Sequence, residues 1–373
     1  MWKMKIMKPQ QRLQSIDALR GFDMLFIMGF SGFVVALCSL FENGADCWLA
    51  ETMHHVEWHG FAHHDTIFPL FLFLAGMSFP FSYAKQCSVG ATRCQIYLKI
   101  VRRTAILILL GLLYNGLLKF DFENLRVCSV LGRIGVAWAV AAVLYINFGW
   151  KTRATICGVI LLVYWLVVGY IPAPDVEGAD PLTMQGTIVG YIDRLITPGR
   201  LYKDNAFDPE GLFSTIPAVV SAMLGIFTGE YVRSGKHSGN RKTLTMFVAA
   251  AAMLTFGLLW NIVFPINKSL WTSSFVLVVG AYSLAMFALF YYLIDVRGWS
   301  RWSFPLQVVG MNSITIYLAQ KIISFRHCNK FFFGGLADAL PEEWGNLLLK
   351  SGYVVVCWLF LYILYRRRIF LKV

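Results

Sequence analysis

The chain contains 373 residues, of which 57% are hydrophobic and only 14% are charged. Soluble proteins carry about 25% charged residues, so this composition excludes an ordinary soluble domain, and the net charge of +12 does not indicate a nucleic-acid-binding protein. The eight cysteines are spread too thinly for a small disulfide-stabilised fold.

Apolar stretches long enough to cross a bilayer occur along the whole chain. A transmembrane helix needs about 20 mostly apolar residues, because its backbone polar groups must be satisfied within the segment. Ten stretches predict an all-α, polytopic membrane bundle of about ten transmembrane helices that forms a single domain over residues 1–373. The predicted spans are 21–41, 66–83, 104–118, 127–148, 154–171, 213–232, 243–264, 270–294, 302–323 and 351–365.

Charged residues are distributed unevenly between the two sides of this bundle. With the N-terminus in the cytoplasm, the inner side contains 22 Lys and Arg residues and four acidic residues, whereas the outer side contains ten basic and 17 acidic residues. Cytoplasmic loops of membrane proteins are enriched in Lys and Arg. Both termini are therefore predicted to be cytoplasmic. Because orientation alone explains the basic excess, the excess is not evidence for an anionic ligand.

The first outer loop, residues 42–65, is rich in histidine and contains no Lys or Arg. Histidine exchanges protons near neutral pH, and its neutral ring is also a nucleophile and a metal ligand. The loop holds five of the seven histidines of the chain, which are His54, His55, His59, His63 and His64, beside Glu51, Glu57 and Asp65. This density makes the loop the first candidate for a functional site.

Three interpretations of the histidine-rich loop compete. In the first, the histidines are solvated or fill a polar crevice. In the second, His55, His59 and His63 line one helical face and bind a metal, but a glycine interrupts that helix and the spacing matches no established zinc signature, so no metal is expected. In the third, one histidine performs acid–base or nucleophilic catalysis and is oriented by Asp65 or Glu57.

Two segments near the N-terminus carry a family pattern. Residues 12–24 read RLQSIDALRGFDM, and residues 53–78 read MHHVEWHGFAHHDTIFPLFLFLAGMS. They resemble the membrane acetyltransferase family of heparan-α-glucosaminide N-acetyltransferase and its bacterial relatives. That family pairs an R-x-x-S-[IV]-D-x-x-R-G start with a His three residues before Trp, followed by G-x-x-x-x-D-x-[IV]-F-P. The matching positions are Arg12, Ser15, Asp17, Arg20, Gly21, His55, Trp58, Gly60, Asp65, Phe68 and Pro69.

Three later segments resemble the same family in order. They are FDPEGLFSTIPAV at 207–219, PINKSLWTSSFV at 265–276 and GMNSITIY at 310–317. The resemblance departs in two ways. The N-terminal luminal region and first span of the animal enzyme have no counterpart, which favours a bacterial inner membrane. In addition, Ser31 occupies a first-span position where the animal enzyme has a functionally important Asn.

The resemblance and the predicted topology together assign candidate site residues. His55 and Asp65 are the predicted catalytic pair, with Glu210 a second candidate for orienting the ring or the substrate amine. The predicted substrate-binding residues are Trp58, His59, Glu210, Asn267, Trp271, Asn312 and Ser313. The predicted residues for binding acetyl-CoA are Asp17, Arg20, Arg133 and Lys268, although a site role is favoured for Asn267 over Lys268.

Several of these residues have structural explanations that the sequence leaves open. Asp17 and Arg20 would equally form an ion pair at the membrane interface, and the two polar residues of the ninth span would equally form hydrogen bonds between helices. The two tryptophans would equally anchor the chain at the interface. Arg133 would meet a phosphate of CoA or pair with a neighbouring helix.

The resemblance implies transfer of an acetyl group from cytoplasmic acetyl-CoA to the amine of a glucosamine-type sugar at the outer face. His55 would carry the acetyl group or deprotonate the incoming ammonium. Both roles need an unprotonated ring, so activity is expected to fall in acid. The rival interpretations are a transporter of sugars or sugar derivatives, for which broken helices and buried polar groups are typical, and an O-acyltransferase of surface glycans.

The resemblance also implies that the protein forms a homodimer in the lipid bilayer. Cys47 and Cys328 are both predicted on the outer side. In an oxidising compartment they would be able to form a disulfide, and two free thiols are the alternative.

Overall fold

The computed structural model describes residues 13–41, 47–202 and 206–371, and its regular secondary structure is helical. Within these ranges only three isolated β-bridges occur and no sheet, so the all-α prediction is confirmed. Arg12 of the first motif and the two termini lie outside the described residues.

The α-helices are α1 (Gln14–Leu25), α2 (Ser31–Cys38), α3 (Trp48–Glu51), α4 (Ile67–Ser88), α5 (Arg93–Tyr114), α6 (Val130–Asn147), α7 (Trp150–Tyr170), α8 (Ile188–Ile196), α9 (Thr215–Arg233), α10 (Gly239–Asn261), α11 (Ser273–Phe290), α12 (Phe304–Gly310), α13 (Ser313–Ile322), α14 (Phe325–Asp338) and α15 (Glu342–Arg366).

Eight helical segments of the described chain are long and apolar enough to cross a membrane. They are Gln14–Cys38, His63–Ser88, Val130–Asn147, Trp150–Tyr170, Thr215–Arg233, Gly239–Asn261, Ser273–Val296 and Glu342–Arg366. Each overlaps one of the ten predicted spans. The third predicted span belongs to α5, which carries four basic residues, and the ninth is divided between α12 and α13. The count of ten therefore stays a prediction.

Helices α4 and α9 form the centre of the bundle, where glycines let their backbones meet. A Cβ atom at Gly76 would lie 2.0 Å from the carbonyl oxygen of Ala222, and one at Gly225 would lie 1.9 Å from that of Phe73. Small residues allow such close approach between membrane helices. This contact packs the central turns of α4, the helix that follows the histidine-rich loop, directly against α9.

The first span is bent immediately before Ser31. A π-helical turn, Phe26–Phe30, joins α1 to α2, and Gly29 within it has a φ of 108°, a left-handed value that glycine adopts at little cost. The ring of Tyr353 on α15 would lie 2.9 Å from a Cβ at Gly29. The bend is therefore packed against α15, and Ser31 begins a separately directed helix.

Irregular chain carries the histidines between the first two long spans. After α3, residues 52–62 form turns and bends, and a short 3₁₀ turn, His63–Thr66, leads directly into α4. The backbone N–H of Gly60 donates to the carbonyl of Ile266 at 2.9 Å. Because of this bond, the loop lies against the segment between α10 and α11.

Cys47 and Cys328 are free thiols in the described structure, which is the second of the two alternatives that the sequence left open. The Cys47 thiol contacts the thiol of Cys38 at the end of α2, whereas Cys328 is exposed on α14. All three are free thiols. The nearest sulfur partner of Cys47 in the fold is thus the one that sequence position alone did not suggest.

Candidate active site

His55 and Asp65 form a close pair at the N-terminal end of α4. The Nδ1 atom of His55 lies 2.6 Å from Oδ1 of Asp65. The histidine side chain is 53% exposed, whereas the aspartate side chain is only 1% exposed. An accessible ring is therefore held by a carboxylate that solvent does not reach.

Lys268 lies beside this pair, and the ionised carboxylate of Asp65 determines which ring nitrogen carries the hydrogen. Its Nζ lies 3.2 Å from Oδ1 of Asp65 and 3.1 Å from Nδ1 of His55. An ionised carboxylate only accepts hydrogen bonds, so the hydrogen of the 2.6 Å contact is on Nδ1 and the ammonium of Lys268 donates to Asp65. The lone pair of His55 is consequently on Nε2. Burial lowers the pKa of Lys268, and the charge of Asp65 opposes that shift.

A second ring and a hydroxyl extend the cluster towards α2. The rings of His55 and His64 meet with their centroids 4.4 Å apart. His64 Nδ1 lies 3.1 Å from the hydroxyl oxygen of Ser31. Because the first span bends before Ser31, the hydroxyl of Ser31 lies within hydrogen-bond distance of His64.

Asn267 organises the turn from which Lys268 projects. Its side-chain oxygen accepts from the backbone N–H of Leu270 at 2.9 Å, and its own N–H donates to the hydroxyl of Thr272 at 3.0 Å. The side-chain amide also contacts Nδ1 of His59 at 3.4 Å. Asn267 is thus a buried residue that positions the turn. Burial lowers the pKa of His59, which favours its neutral ring.

Trp58 fixes the other side of the histidine-rich loop. Its indole N–H donates to the carbonyl of Leu182 at 2.7 Å, and its ring meets that of Phe207 edge to face at a centroid distance of 5.2 Å. The half-buried tryptophan therefore ties the loop to the long segment between α7 and α9. This is a protein-facing contact, in contrast to that of a membrane-interface anchor.

Glu210 belongs to a charged network that sequence reasoning found only in part. Arg126 donates to both carboxylate oxygens of Asp208 at 2.7 Å and also bonds to Glu210. Burial disfavours the charged guanidinium, but its bonds to the two carboxylates prevail and raise the pKa of Arg126. Glu210 lies within electrostatic range of Lys268. Through Glu210, the network therefore lies within electrostatic range of Lys268, the lysine that contacts His55 and Asp65.

Asp193 on α8 is a buried carboxyl next to this network. Its Oδ2 accepts from the N–H of Asp208 at 3.2 Å, while Oδ1 has no partner among the described residues. Burial raises the pKa of Asp193 to about 7. The folded state therefore holds this proton more tightly than the unfolded chain, and the stability that it contributes in acid is lost as pH rises from about 4 to about 7.

We expect the unfolding free energy in detergent to fall by about 1–4 kcal/mol as pH rises through this window. The variant Asp193→Asn should show a smaller fall, because the amide does not titrate. Thermal unfolding at a series of pH values checks this, with Asp338→Asn, an exposed carboxyl at the end of α14, as the matched control. Equal slopes for wild type and Asp193→Asn would contradict the assignment.

Arg133 and Trp271 lie together beneath the cluster. Arg133 is 3% exposed and donates to the carbonyl of Gly211 at 3.2 Å and to the hydroxyl of Ser214. Its guanidinium lies 5.0 Å from the ring centre of Trp271, which is fully buried. Two of its nitrogens, Nε and Nη1, have no hydrogen-bond partner in the described part of the chain. A buried cation with unused donors thus lies within electrostatic range of Lys268.

The geometry on which the metal interpretation depends is not present. Residues 52–62 are irregular, so His55, His59 and His63 do not share a helical face. Each ring has a different side-chain partner, which is Asp65, Asn267 and Tyr282 respectively. Within the described residues, no group of three or more His, Cys, Asp or Glu side chains is arranged to hold a metal ion.

Four of the predicted residues lie away from the histidines. Asp17 and Arg20 form an ion pair at 3.7 Å near the start of α1. A Cβ at Gly310 would lie 1.8 Å from the carbonyl oxygen of Asp17, so the end of α12 packs on this turn. The helix breaks at the next residues, and Asn312 donates to the carbonyl of Ile369, beyond the C-terminal end of α15.

The length of α15 separates these four residues from His55. Near its N-terminal end, Lys350 lies 3.5 Å from a Cβ at Gly32, beside the Ser31–His64 contact. From Lys350 to Arg366 the helix extends about 24 Å. Asp17, Arg20, Asn312 and Ser313 therefore gather at the opposite end of the bundle.

Two curated proteins are similar in sequence to this chain. No protein-family model matches the chain. The heparan-alpha-glucosaminide N-acetyltransferase of Mus musculus is 27% identical over 429 aligned positions, which cover 98% of this chain and 62% of that protein. The protein of the same name from Homo sapiens is 26% identical over 432 positions, which cover 100% of this chain and 61% of that protein.

Over nearly its whole length, the chain is similar to these two heparan-alpha-glucosaminide N-acetyltransferases. The resemblance inferred from short motifs is thereby confirmed over nearly the whole sequence. The chain spans about three-fifths of the length of the curated relatives that it matches.

The segments that resemble these N-acetyltransferases meet in two groups, one at each end of the bundle. The second motif and the P-x-N-K segment meet in His55, Asp65 and Lys268. Ser31, at the family's Asn position, contacts His64 and so joins the same cluster. The first motif and the G-M-N-S-I segment meet instead around Asp17 and Gly310.

The sequence did not predict that Lys268 contacts Asp65 and His55. It also did not predict that Arg126 bonds to Asp208 and Glu210. The position of Lys268, directly after Asn267 in a family-like segment, was a usable signal for the first. Arg126 lies in a loop without a motif, and the sequence offers no signal for it. Of the remaining histidines in the loop, His54 is exposed, as the solvated interpretation expects.

Proposed function

We propose that this protein is a membrane acetyltransferase that moves an acetyl group from acetyl-CoA to the amine of a glucosamine-type sugar. One observation carries the proposal. His55 is half exposed, its Nδ1 is held at 2.6 Å by the buried Asp65, and Nε2 is left as the reacting atom. A fixed tautomer with an accessible lone pair is what either a nucleophile or a general base requires.

Two routes satisfy this geometry. In the first, Nε2 attacks the thioester carbonyl, the C–S bond breaks, and CoA leaves as the thiolate, which takes a proton from solvent. The sugar ammonium gives one proton back to solvent, and the resulting amine attacks the acetyl-imidazolium. A second proton of the amine passes to Nε2 as the bond between the acetyl group and His55 breaks. In the second, Nε2 removes a proton from the ammonium, and the amine attacks the thioester directly. In both, Asp65 stabilises positive charge on the ring. The ammonium of Lys268, 3.5 Å from Nε2, stabilises the developing oxyanion.

In this proposal, the acceptor binds on the side of Trp58, His59 and Glu210. Their polar atoms and the aromatic face border the same loop as His55, and a carboxylate beside the site attracts an ammonium substrate. Asn267 and Trp271 act from behind this surface, since both are fully buried. Asn267 stabilises the turn that bears Lys268, and Trp271 packs against Arg133.

The donor is proposed to approach from the opposite end of the bundle. Arg20 lies there within electrostatic range of Arg103, and two guanidinium groups held close together favour an anion such as a CoA phosphate. Asp17, Asn312 and Ser313 belong to the same end and would contact the donor. Arg133, with two unused nitrogens near His55, would meet the thioester end. The orientation that places His55 outside follows from the basic excess of the predicted inner loops, and it suits a bacterial inner membrane.

The test uses the purified full chain in detergent with acetyl-CoA and glucosamine. We expect release of CoA, measured by chromatography, in equal amount to N-acetylglucosamine measured by mass spectrometry. Resistance of the product to hydroxylamine distinguishes an amide from an ester. An ester product would favour the O-acyltransferase interpretation. No CoA release with any amino sugar, together with sugar uptake into proteoliposomes, would establish the transporter instead.

The same preparation separates the two routes. With labelled acetyl-CoA and no acceptor, a carrier histidine releases about one CoA per protein and retains the label. A general base releases none until the amine is added.

A further inference from the structure

Asp23 is a carboxyl buried in the interior of the first span. It lies on α1, is 2% exposed, and its Oδ2 has no hydrogen-bond partner among the described residues. Among the described residues, Asp23 has no ion-pair partner. By comparison, Glu230 accepts two hydrogen bonds from Arg153, at 3.0 and 2.9 Å. Ionisable groups within a membrane are costly and mark functional sites by default. Neither the proposed acyl transfer at His55 nor the donor end uses Asp23.

Tyr282 on α11 lies within electrostatic range of Asp23 and beside the side chain of Thr66. The Tyr282 hydroxyl lies 3.1 Å from Nε2 of His63. His63 packs on Phe26 at a centroid distance of 4.4 Å, and its Nδ1 is buried without a partner in the described residues. The tyrosine hydroxyl thus has His63 at hydrogen-bond distance and the unpartnered carboxyl of Asp23 within electrostatic range.

Histidines connect this buried site to the reacting ring. His64 lies within electrostatic range of both His63 and His55, and the rings of His64 and His55 are 4.4 Å apart. A series of proton-exchanging side chains, each in ring contact, hydrogen-bond distance or electrostatic range of the next, therefore extends from the accessible Nε2 into the bundle. Other charged groups near α1 are already engaged, since Asp295 accepts from the backbone of Gln14 and Ser15 and Asp17 pairs with Arg20.

Acyl transfer creates a need for such a series. A sugar ammonium and a thioester become an amide and a thiol, and one proton is released in each turnover. The product amide does not bind that proton, and a second positive charge beside the ammonium of Lys268 is unfavourable. The proton must therefore leave His55 before the next substrate is deprotonated.

We propose that the protein contains a proton-transfer route from the acyl-transfer site into the bundle, formed by His55, His64, His63, Tyr282 and Asp23. The route rests on the proposed acetyl transfer and deepens it. Asp23, which holds a proton at rest because an unpaired carboxylate in an apolar interior is too costly, passes this proton to solvent at the end of α1 that bears Asp17, about 9 Å away along the helix. Tyr282 then returns a proton from His63 to Asp23. Each group gives one proton and receives one, so the route ends as it began.

The first experiment measures acetyl transfer by Asp23→Asn and by the control Glu230→Gln. We expect kcat to fall at least about tenfold in Asp23→Asn, with KM for both substrates unchanged. Azide, whose acid form is a small mobile proton carrier, should restore the rate of this variant in proportion to its concentration. A merely structural role would not respond to azide. Glu230→Gln should keep the wild-type rate and show no rescue.

A second variant and a substrate-free measurement keep the proposal testable if Asp23→Asn does not fold. Tyr282→Phe keeps the ring and removes the hydroxyl, and it should lose rate and be rescued by azide in the same way. Infrared spectra of the protein at pH 8, where Asp193 is ionised, should contain the carbonyl band of a protonated carboxyl that is present in Tyr282→Phe and absent in Asp23→Asn.

The outcomes separate this proposal from the one on which it rests. A wild-type protein without CoA release contradicts the proposed acetyl transfer, and the infrared band alone then decides whether Asp23 carries a proton. If the wild type is active, unchanged kcat in Asp23→Asn, or a loss that azide does not restore in either variant, overturns the proton route.

Discussion

His55→Ala should reduce acetyl transfer by about 10²- to 10⁴-fold, the usual contribution of a positioned acid–base group. The loss is expected in kcat/KM for the amine, because the variant removes Nε2, the atom that meets the reacting group in both routes. Unfolding should change little, since the side chain is 53% exposed. The measurement is the CoA-release assay, with size-exclusion chromatography as the check on folding.

The matched control is His54→Ala. His54 precedes His55 in the same exposed turn and should retain wild-type activity. If His55→Ala keeps full activity while His54→Ala or His59→Ala abolishes it, the reacting histidine has been assigned to the wrong position.

Asp65→Asn should reduce activity by about 10²-fold or more, although the amide has nearly the same shape. The amide does not stabilise a positive charge on the imidazole, and it is able to donate to Nδ1 and so move the ring hydrogen to Nε2. Lys268 would in addition lose its counter-charge, which lies 3.2 Å away. We expect the loss in kcat, with KM for the sugar largely retained.

Glu57→Gln provides the comparison for this variant. Glu57 is an exposed carboxylate of the same loop, and its substitution should leave the rate within about twofold of the wild type. The opposite result, an active Asp65→Asn and an inactive Glu57→Gln, would transfer the orienting role to Glu57. A proton-inventory difference between the wild type and Asp65→Asn would show that the loss arises at the ring.

The sequence was sufficient for the helical class and for the pair at the centre of the site. The apolar runs predict helices because, inside a membrane, backbone N–H and C=O groups must form hydrogen bonds within their own segment. His55 and Asp65 are ten residues apart on one loop, so local spacing and the family pattern together were enough to expect them near each other. The contact at 2.6 Å agrees with that expectation.

Residues that depend on long-range packing were predicted less well. Sequence favoured Asn267 over Lys268 because an amide in a family-like segment is a plausible ligand. In the fold, Asn267 turns inward to bond Leu270 and Thr272, which leaves Lys268 to reach Asp65. The direction of a side chain within a turn depends on such bonds, and residue spacing does not specify it.

The ninth predicted span illustrates a different limit. Its hydropathy suggested one continuous helix with Asn312 and Ser313 in its interior. The break between α12 and α13 and the close contact of Gly310 with α1 place both residues by Asp17 instead. Hydropathy averages over such a break, because the residues on either side remain apolar.

The distance in sequence between Asp65 and Lys268 has a consequence for biosynthesis. Asp65 is 1% exposed and bonds to a lysine that lies 203 positions later in the chain. At a translation rate of about 5–20 residues per second, that lysine emerges about 10–40 s after the aspartate. During this interval, the nearby His55 is the partner that limits the cost of inserting the carboxyl. The imidazole that we assign to chemistry in the finished protein would thus also act as a temporary counter-ion while the polypeptide is still being made.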